Sequence, residues 1–320
     1  MPTGFCYPKT AKQLKRSITM RQLVTFLYYV PNSQGMVCCP FHQDSTPSLW
    51  VNDEFAWCFA CGRGWDVFDL VREFYSLDFE DAAGWLRVHE AKITDIQVGG
   101  GSRKKGEYRG PVDPYIIQQW HSLLIEDHYD YFLKQRGLTR ETVDLYQLGW
   151  RPDYKAYVIP FWSGVPSQSE VVTVQFRRTD ESPPFFTSKF IGLGGHNKPA
   201  FIGSHTLQNK DWAVILFGSF DALLAGQDGL PAVSPNGASA FSSKRHESEL
   251  HKTFLYKHHV YVVSDATLSE WDSVRKTADL LSCNNSVHKF PDGFKDYSDY
   301  RLGGHSVSQF LNEVLEIEFK

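Results

Sequence analysis

The segment CCPFHQDSTPSLWVNDEFAWCFACGRGWD, residues 38–66, carries four of the chain's six cysteines. Cys39 and His42 are separated by two residues, Cys58 and Cys61 by two more, and fifteen residues lie between the pairs. Thiolates and an imidazole at this spacing suit zinc. Two tight turns, each presenting two ligands, close a tetrahedral site and leave no open position for catalysis. The expected zinc ligands are therefore Cys39, His42, Cys58 and Cys61, and Cys38 is either a spare thiol or a competing first ligand.

A second stretch, VILFGSFDALLAG at 214–226, runs from an apolar strand through a glycine turn into a helix with Asp221 in its first turn. Such turns face the C-terminal edge of an α/β sheet, where ligands and reacting groups gather. The last strand residue, however, is Phe217, which cannot hold a metal or move a proton.

Both sets of side chains need a scaffold. Between the cysteine pairs, SLWVN and EFAWCF read as a hairpin turning at Asn52 and Asp53. Alternation then puts Phe55, Trp57 and Phe59 on one face, with Trp50 on the neighbouring strand. That face is either a stacking platform for unpaired bases or a surface packed under the helices expected from WDVFDLVREFY and DFEDAAGWLRV. Arg63, just past the last ligand, is the candidate phosphate or base contact.

Residues 96–112, QVGGGSRKKGEYRGPVD, read as a basic, glycine-rich linker. The expected division is a zinc-ribbon domain over 1–95, the linker, the first part of a core over 113–210 and a parallel-sheet domain over 211–320. At 320 residues and 42% hydrophobic content the chain has material for two cores. A net charge of −4 means that any nucleic-acid surface is a local basic patch. No apolar run is long enough for a membrane span, and the first residues lack a secretory h-region. The expectation is a cytoplasmic protein whose cysteines are thiols or metal ligands and not disulfides.

The runs CPFHQDSTPSLWV, CFACGRGWDVFDLV and DFEDAAGWL together resemble the N-terminal zinc ribbon of DnaG-type bacterial and bacteriophage DNA primases, over roughly residues 35–90. Beyond the linker, YFLKQRGLTRETVDLYQLGW, VIPFW, VQFRR and SKFIG resemble that family's polymerase core in order, and 211–300 resembles a TOPRIM fold. The fold class implied is α+β with two domains: a small zinc ribbon with helices, then an α/β TOPRIM-type primase core. The resemblance implies that the ribbon binds single-stranded DNA template, and that Arg177, Arg178 and Lys189 line a groove for template and nucleotide phosphates.

The same resemblance sharpens the question about Phe217. A TOPRIM site needs several strand-end carboxylates, because Mg²⁺ takes oxygen ligands and must offset phosphate charge. The family pattern has Glu at position 217 and Asp-x-Asp from 265, whereas this chain has Phe217 and Thr267 and keeps Asp221, Asp265 and Asp272. Two readings follow. One is a degenerate primase that binds template, holds Mg²⁺ weakly and has lost most nucleotidyl transfer, with Asp221 and Asp265 as residual acids. The other is an active primase making short RNA primers with relocated acids at Glu270, or at Asp296 and Asp299. A chain ending at Lys320 is expected to lack a fused helicase and to meet a replicative helicase or another replication protein by other means, as a primase from a mobile genetic element would.

Overall fold

The structure is a computed structural model that describes residues 9–42, 44, 47–96, 110–182, 188–194, 196, 198–237, 239–241, 243–265 and 271–317. It divides into two compact units, one of residues 1–105 with 151–155, the other of 106–150 with 156–320. Most of the expected linker, residues 97–109, lies outside the described residues, as do Thr267 and Glu270.

The first unit is built on a four-stranded antiparallel sheet in the order β1 (Met36–Val37), β2 (Leu49–Val51), β3 (Ala56–Cys58) and β4 (Arg63–Trp65). The hairpin turn falls where the sequence places it. Asn52 Oδ1 accepts from the backbone N–H groups of Glu54 and Phe55, so a side chain closes the turn. Leu49, Val51, Ala56 and Cys58 are fully buried on one face.

Four helices cover that buried face and add their own: α1 (Ala11–Ser17), α2 (Met20–Phe26), α3 (Val67–Tyr75) and α4 (Phe79–Thr94). Thr10 and Thr19 form capping boxes with Gln13 and Gln22, which lets two seven-residue helices start cleanly. Asp66 caps α3 through the N–H groups of Phe68 and Asp69 and is paired with Lys15 at 2.8 Å. Burial raises the Asp66 carboxyl, but the Lys15 bond and the helix N–H groups outweigh it, and its pKa falls below the usual value.

The second unit opens with α5 (Pro114–Ser122), α6 (Glu126–Asp130) continued by a π-helical turn over Tyr131–Gln135, and α7 (Arg140–Leu145). An antiparallel sheet follows in the order β5 (Gly149–Arg151), β6 (Ala156–Trp162), β7 (Val171–Arg178) and β8 (Phe190–Gly192). Val112, expected in the linker, bridges to Val171.

The second sheet of this unit contains β9 (Phe201–Ile202), β10 (Trp212–Leu216), β11 (Ala232–Pro235), β12 (His259–Ser264) and β13 (Asn284–Lys289), ordered β13-β12-β10-β11-β9. Strands β10 to β13 run parallel, and only β9 is antiparallel. A boundary at 210/211 would cut β9 away from β11, so the sheet does not respect that division. The crossovers are made by α8 (Ser219–Gln227), α9 (Glu247–Phe254) and α10 (Trp271–Asp279), with α11 (Tyr297–Leu302) after β13. Ala213, Ile215, Val233, Val260 and Val262 make a core under one face of this sheet with Phe241 and Phe254.

Candidate metal centre and nucleic-acid interface

In the ribbon, Cys39, His42, Cys58 and Cys61 each aim one ligand atom at a common point, all within 4.8 Å of one another. His42 Nδ1 lies 3.2 Å from Cys61 Sγ and 4.0 Å from Cys58 Sγ, and the Cys39 and Cys61 sulfurs are 3.9 Å apart. Three sulfurs and one ring nitrogen at these separations fit a closed tetrahedral zinc site. Cys38 is buried and stands outside the cluster.

Asp44, which has no motif of its own in the sequence, organises the site. It is buried, accepts from the Cys39 N–H at 2.9 Å and from Ser48 Oγ at 2.5 Å, and lies 3.7 Å from His42 Nε2. At that distance the carboxylate does not hydrogen-bond the far nitrogen directly, but its charge favours a proton on Nε2 and so a free Nδ1 toward the sulfurs. Burial raises the Cys58 thiol, but hydrogen bonds from Ser48 and the Cys61 N–H outweigh it and leave the pKa below normal. Burial raises the Cys39 and Cys61 thiols.

In β3 the alternation leaves the aromatic face exposed and not packed under the helices. Ala56 and Cys58 point inward, while Phe55, Trp57 (39% accessible) and Phe59 (67% accessible) are exposed. Trp50 pairs with Trp57 across the hairpin and meets Phe55 edge-on at 5.7 Å. Gly64 sits opposite Trp57, and a Cβ there would come within 2.9 Å of the indole, so the glycine lets the ring lie across β4. Arg63 is engaged elsewhere. Its guanidinium pairs with Glu73 and lies 4.8 Å from the Trp65 ring, whose Nε1 also donates to Glu73 at 2.6 Å.

In the second unit, alternation divides the expected basic set. Gln175 and Arg177 share one face of β7, and Arg178 takes the other. Gln175 accepts from Ser219 Oγ at 2.9 Å and donates to the Asn236 carbonyl at 2.6 Å, so its face looks onto the turns after β10 and β11. Arg177 therefore faces the C-terminal edge of the parallel sheet and Arg178 does not, while Lys189, across from Arg178 in the ladder, has Lys295, Arg177, Arg136 and Asp221 as its charged neighbours.

Two further cations join them, neither picked out from the sequence. Arg136 donates to the Tyr131 hydroxyl at 2.9 Å, and Tyr131 is stacked on Tyr157 at 4.0 Å, which aims the guanidinium toward Arg177 and Asp221. Lys295, from the segment before α11, is the like charge that acts most strongly on Lys189. Lys189 is surface-accessible but closely flanked, and partial desolvation followed by Lys295, Arg177 and Arg136 holds its pKa below the usual lysine value. Arg177 is lowered by burial and Arg136, and among the described residues its buried Nε has no hydrogen-bond partner. Crowded, partly desolvated cations of this kind favour an anion.

Among the described residues, the acids at the same edge are sparse. The residues directly following β10, β11, β12 and β13 are Phe217, Asn236, Asp265 and Phe290, so one of four strand ends carries a carboxylate. Phe217 packs against the core beneath the sheet. Asp221 is buried, and its Oδ1 accepts from the Ser298 N–H at 2.8 Å and Ser298 Oγ at 2.6 Å. Gly218 makes room for this, since a Cβ there would collide with the Asp221 carboxylate. Burial, then the nearby Asp296 charge, pushes the Asp221 carboxyl up to about 6. Asp296 itself caps α11 through the Asp299 N–H, and Asp272 is exposed on α10. Among the described residues, the ribbon cluster is the one group of three or more His, Cys, Asp or Glu side chains arranged to share an ion.

Residues 8–99 match the CHC2 zinc finger family of DnaG zinc ribbons. A DNA primase of Borreliella burgdorferi is 32% identical over 127 residues, covering 36% of this chain and 24% of that protein. A DNA primase of Halalkalibacterium halodurans is 19% identical over 367 residues, covering 96% of this chain and 59% of that protein. The chain thus spans less than two thirds of the length of either relative. Among solved structures, the zinc-binding and RNA polymerase domains of the Aquifex aeolicus primase align at 18% identity and a TM-score of 0.48, over 95% of this chain and 85% of that one. Among the described residues no helix is long and apolar enough to cross a membrane.

Proposed function

Taking the chain as a relative of the DnaG-type DNA primases, we propose that it binds single-stranded DNA template in replication and carries out little or no nucleotidyl transfer. The ribbon unit is the template reader and the second unit a TOPRIM-like core that grips phosphate. Bases stack on Trp57, Phe59 and Phe55, which are exposed on a sheet held by zinc, with the half-buried Trp50 beside them. Arg177, Lys189, Arg136 and Lys295 attract the backbone or a nucleotide phosphate at the edge of the parallel sheet.

The observation that carries the loss of chemistry is the pairing of Phe217 with Asp221. One strand end has an aromatic ring seated on the core, and the helix acid beside it is bonded to Ser298. Asp265 is the strand-end acid left to meet Mg²⁺, and a single carboxylate among waters holds that ion loosely.

The test is single-strand DNA binding run beside primer synthesis, with Mg²⁺ or Mn²⁺, on the zinc-loaded chain. Binding without product is expected. Primer synthesis at the rate of an ordinary primase would favour the reading with relocated acids at Glu270, or at Asp296 and Asp299, and absence of binding at low salt would remove the template role.

A further inference from the structure

The outer strands of the parallel sheet carry a cluster that the template reading leaves unused. On one face of β12 stand His259 and Tyr261, and on the same face of β13 stand Ser286 and His288, with Tyr261 paired to Ser286 and Val263 to His288. His259 Nε2 lies 2.8 Å from Ser286 Oγ, and His288 Nε2 lies 2.7 Å from the same oxygen. Two imidazole ε-nitrogens from neighbouring strands therefore aim at one point, currently filled by a hydroxyl. Tyr261 packs between them, its ring 4.4 Å from that of His259 and 5.7 Å from that of His288.

We propose that His259 and His288 form a second metal site, for a divalent transition metal of the imidazole-preferring kind such as Ni²⁺ or Zn²⁺, with Ser286 as the hydroxyl that yields its place. The bonding fixes which protons sit where. The other ring nitrogen of His288 is bonded to the Val314 carbonyl and so carries a proton. Its Nε2 is then the acceptor of the Ser286 O–H, and the Ser286 oxygen accepts from His259 Nε2–H.

A metal takes the His288 lone pair once the Ser286 hydroxyl rotates away, and takes His259 once its proton moves from Nε2 to Nδ1, with no net proton lost. Burial lowers the pKa of both histidines, so both are neutral and able to ligate near pH 7. The Val314 carbonyl behind His288 is the outer-shell partner that metal-bound imidazoles ordinarily have. The two imidazoles are the protein ligands, and water completes the shell. Mg²⁺ prefers all-oxygen surroundings and is not the ion for this site.

The experiment uses the tag-free full chain with zinc in the ribbon, dialysed to equilibrium against Ni²⁺ and analysed for both metals. The expected result is one Ni²⁺ per chain with the ribbon zinc retained, unaffected by excess Mg²⁺. His259→Gln and His288→Gln keep a polar partner for Ser286, so they hold the fold, and each should weaken Ni²⁺ binding by about tenfold or more. Ser286→Ala removes only the competing hydroxyl and should bind Ni²⁺ as tightly as the parent or tighter. With thermal unfolding confirming that the variants are folded, failure of the parent to hold Ni²⁺, or equal binding by the parent and both glutamine variants, overturns the proposal.

Discussion

The two chemical centres of this chain are built on opposite plans. In the ribbon, four ligand atoms from two turns converge, and Asp44 and Ser48 stand behind the imidazole and one thiol. At the edge of the parallel sheet the cations converge but the acids do not. Phe217 has joined the core, Asp221 has turned into the protein toward Ser298, and Asp265 follows β12 as the one strand-end carboxylate. One centre gathers four metal-ligand atoms, and the other gathers cations without a matching set of acids.

The largest effect that can break this contrast is loss of the ribbon metal. Cys58→Ser should release zinc and unfold the first unit, removing about 10 kcal/mol of metal-coupled folding energy, whereas Cys38→Ser should retain zinc. A colorimetric zinc assay with heteronuclear NMR of the two units checks both. Equal zinc loss from the two variants would move Cys38 into the ligand set.

Next in size is Asp221, where a structural acid and a metal ligand behave differently. Asp221→Ala leaves the buried donors of Ser298 unmet and should cost about 3 kcal/mol, while Asp221→Asn keeps an acceptor and should cost far less. The pH dependence follows from the raised pKa. The folded carboxyl holds its proton up to about 6 while the unfolded one loses it near 3.8, so its contribution is fully present below about pH 4 and is lost as pH rises through 6. Denaturant unfolding should therefore show a decline between pH 4 and 6 that Asp221→Asn removes. A decline unchanged in that variant would place the titration elsewhere.

These two centres are unequally legible in the sequence, for a physical reason. Cys39, His42, Cys58 and Cys61 are paired locally, and the Asn52 turn between them is local too, so spacing alone locates the zinc site and the hairpin. Asp44 lies in the same loop but has no spacing rule, and its role depends on the folded turn. Arg136 and Lys295 come from segments far apart in the chain and meet only through the fold of the second unit. The family resemblance points to Asp221 as a residual acid, but its orientation depends on Ser298, 77 residues away, and on the missing Cβ of Gly218. The grouping of Arg178 with Arg177 fails because adjacent strand residues face opposite sides.

A smaller effect sharpens the acid-poor half of the contrast. Phe217→Glu puts a carboxyl against apolar packing and should destabilise the second unit by about 2 kcal/mol. Combined with Thr267→Asp, it restores the acid pattern beside Asp265 and should raise Mg²⁺ affinity, measured by calorimetry, with either single change doing much less.

The smallest effects separate base stacking from phosphate binding on the template. Trp57→Ala should weaken single-strand binding by about tenfold, near the low end of one stacked base, and leave the salt slope unchanged. Lys189→Ala or Arg177→Ala should flatten the slope by about 0.7 for each phosphate no longer neutralised, and Arg178→Ala should flatten it less. Fluorescence anisotropy over a range of salt concentrations reads both quantities, and an Arg178→Ala change equal to that of Arg177→Ala would contradict the division of β7 into two faces.

The central claim, a phosphate grip without a working acid cluster, is tested most directly by Mn²⁺ titration of the zinc-loaded chain followed by electron paramagnetic resonance. Mn²⁺ shares the oxygen preference of Mg²⁺ and reports its own binding. The account predicts no Mn²⁺ bound below the millimolar range, in the parent and in Asp265→Ala alike. One Mn²⁺ held at micromolar concentration and lost in Asp265→Ala would contradict it.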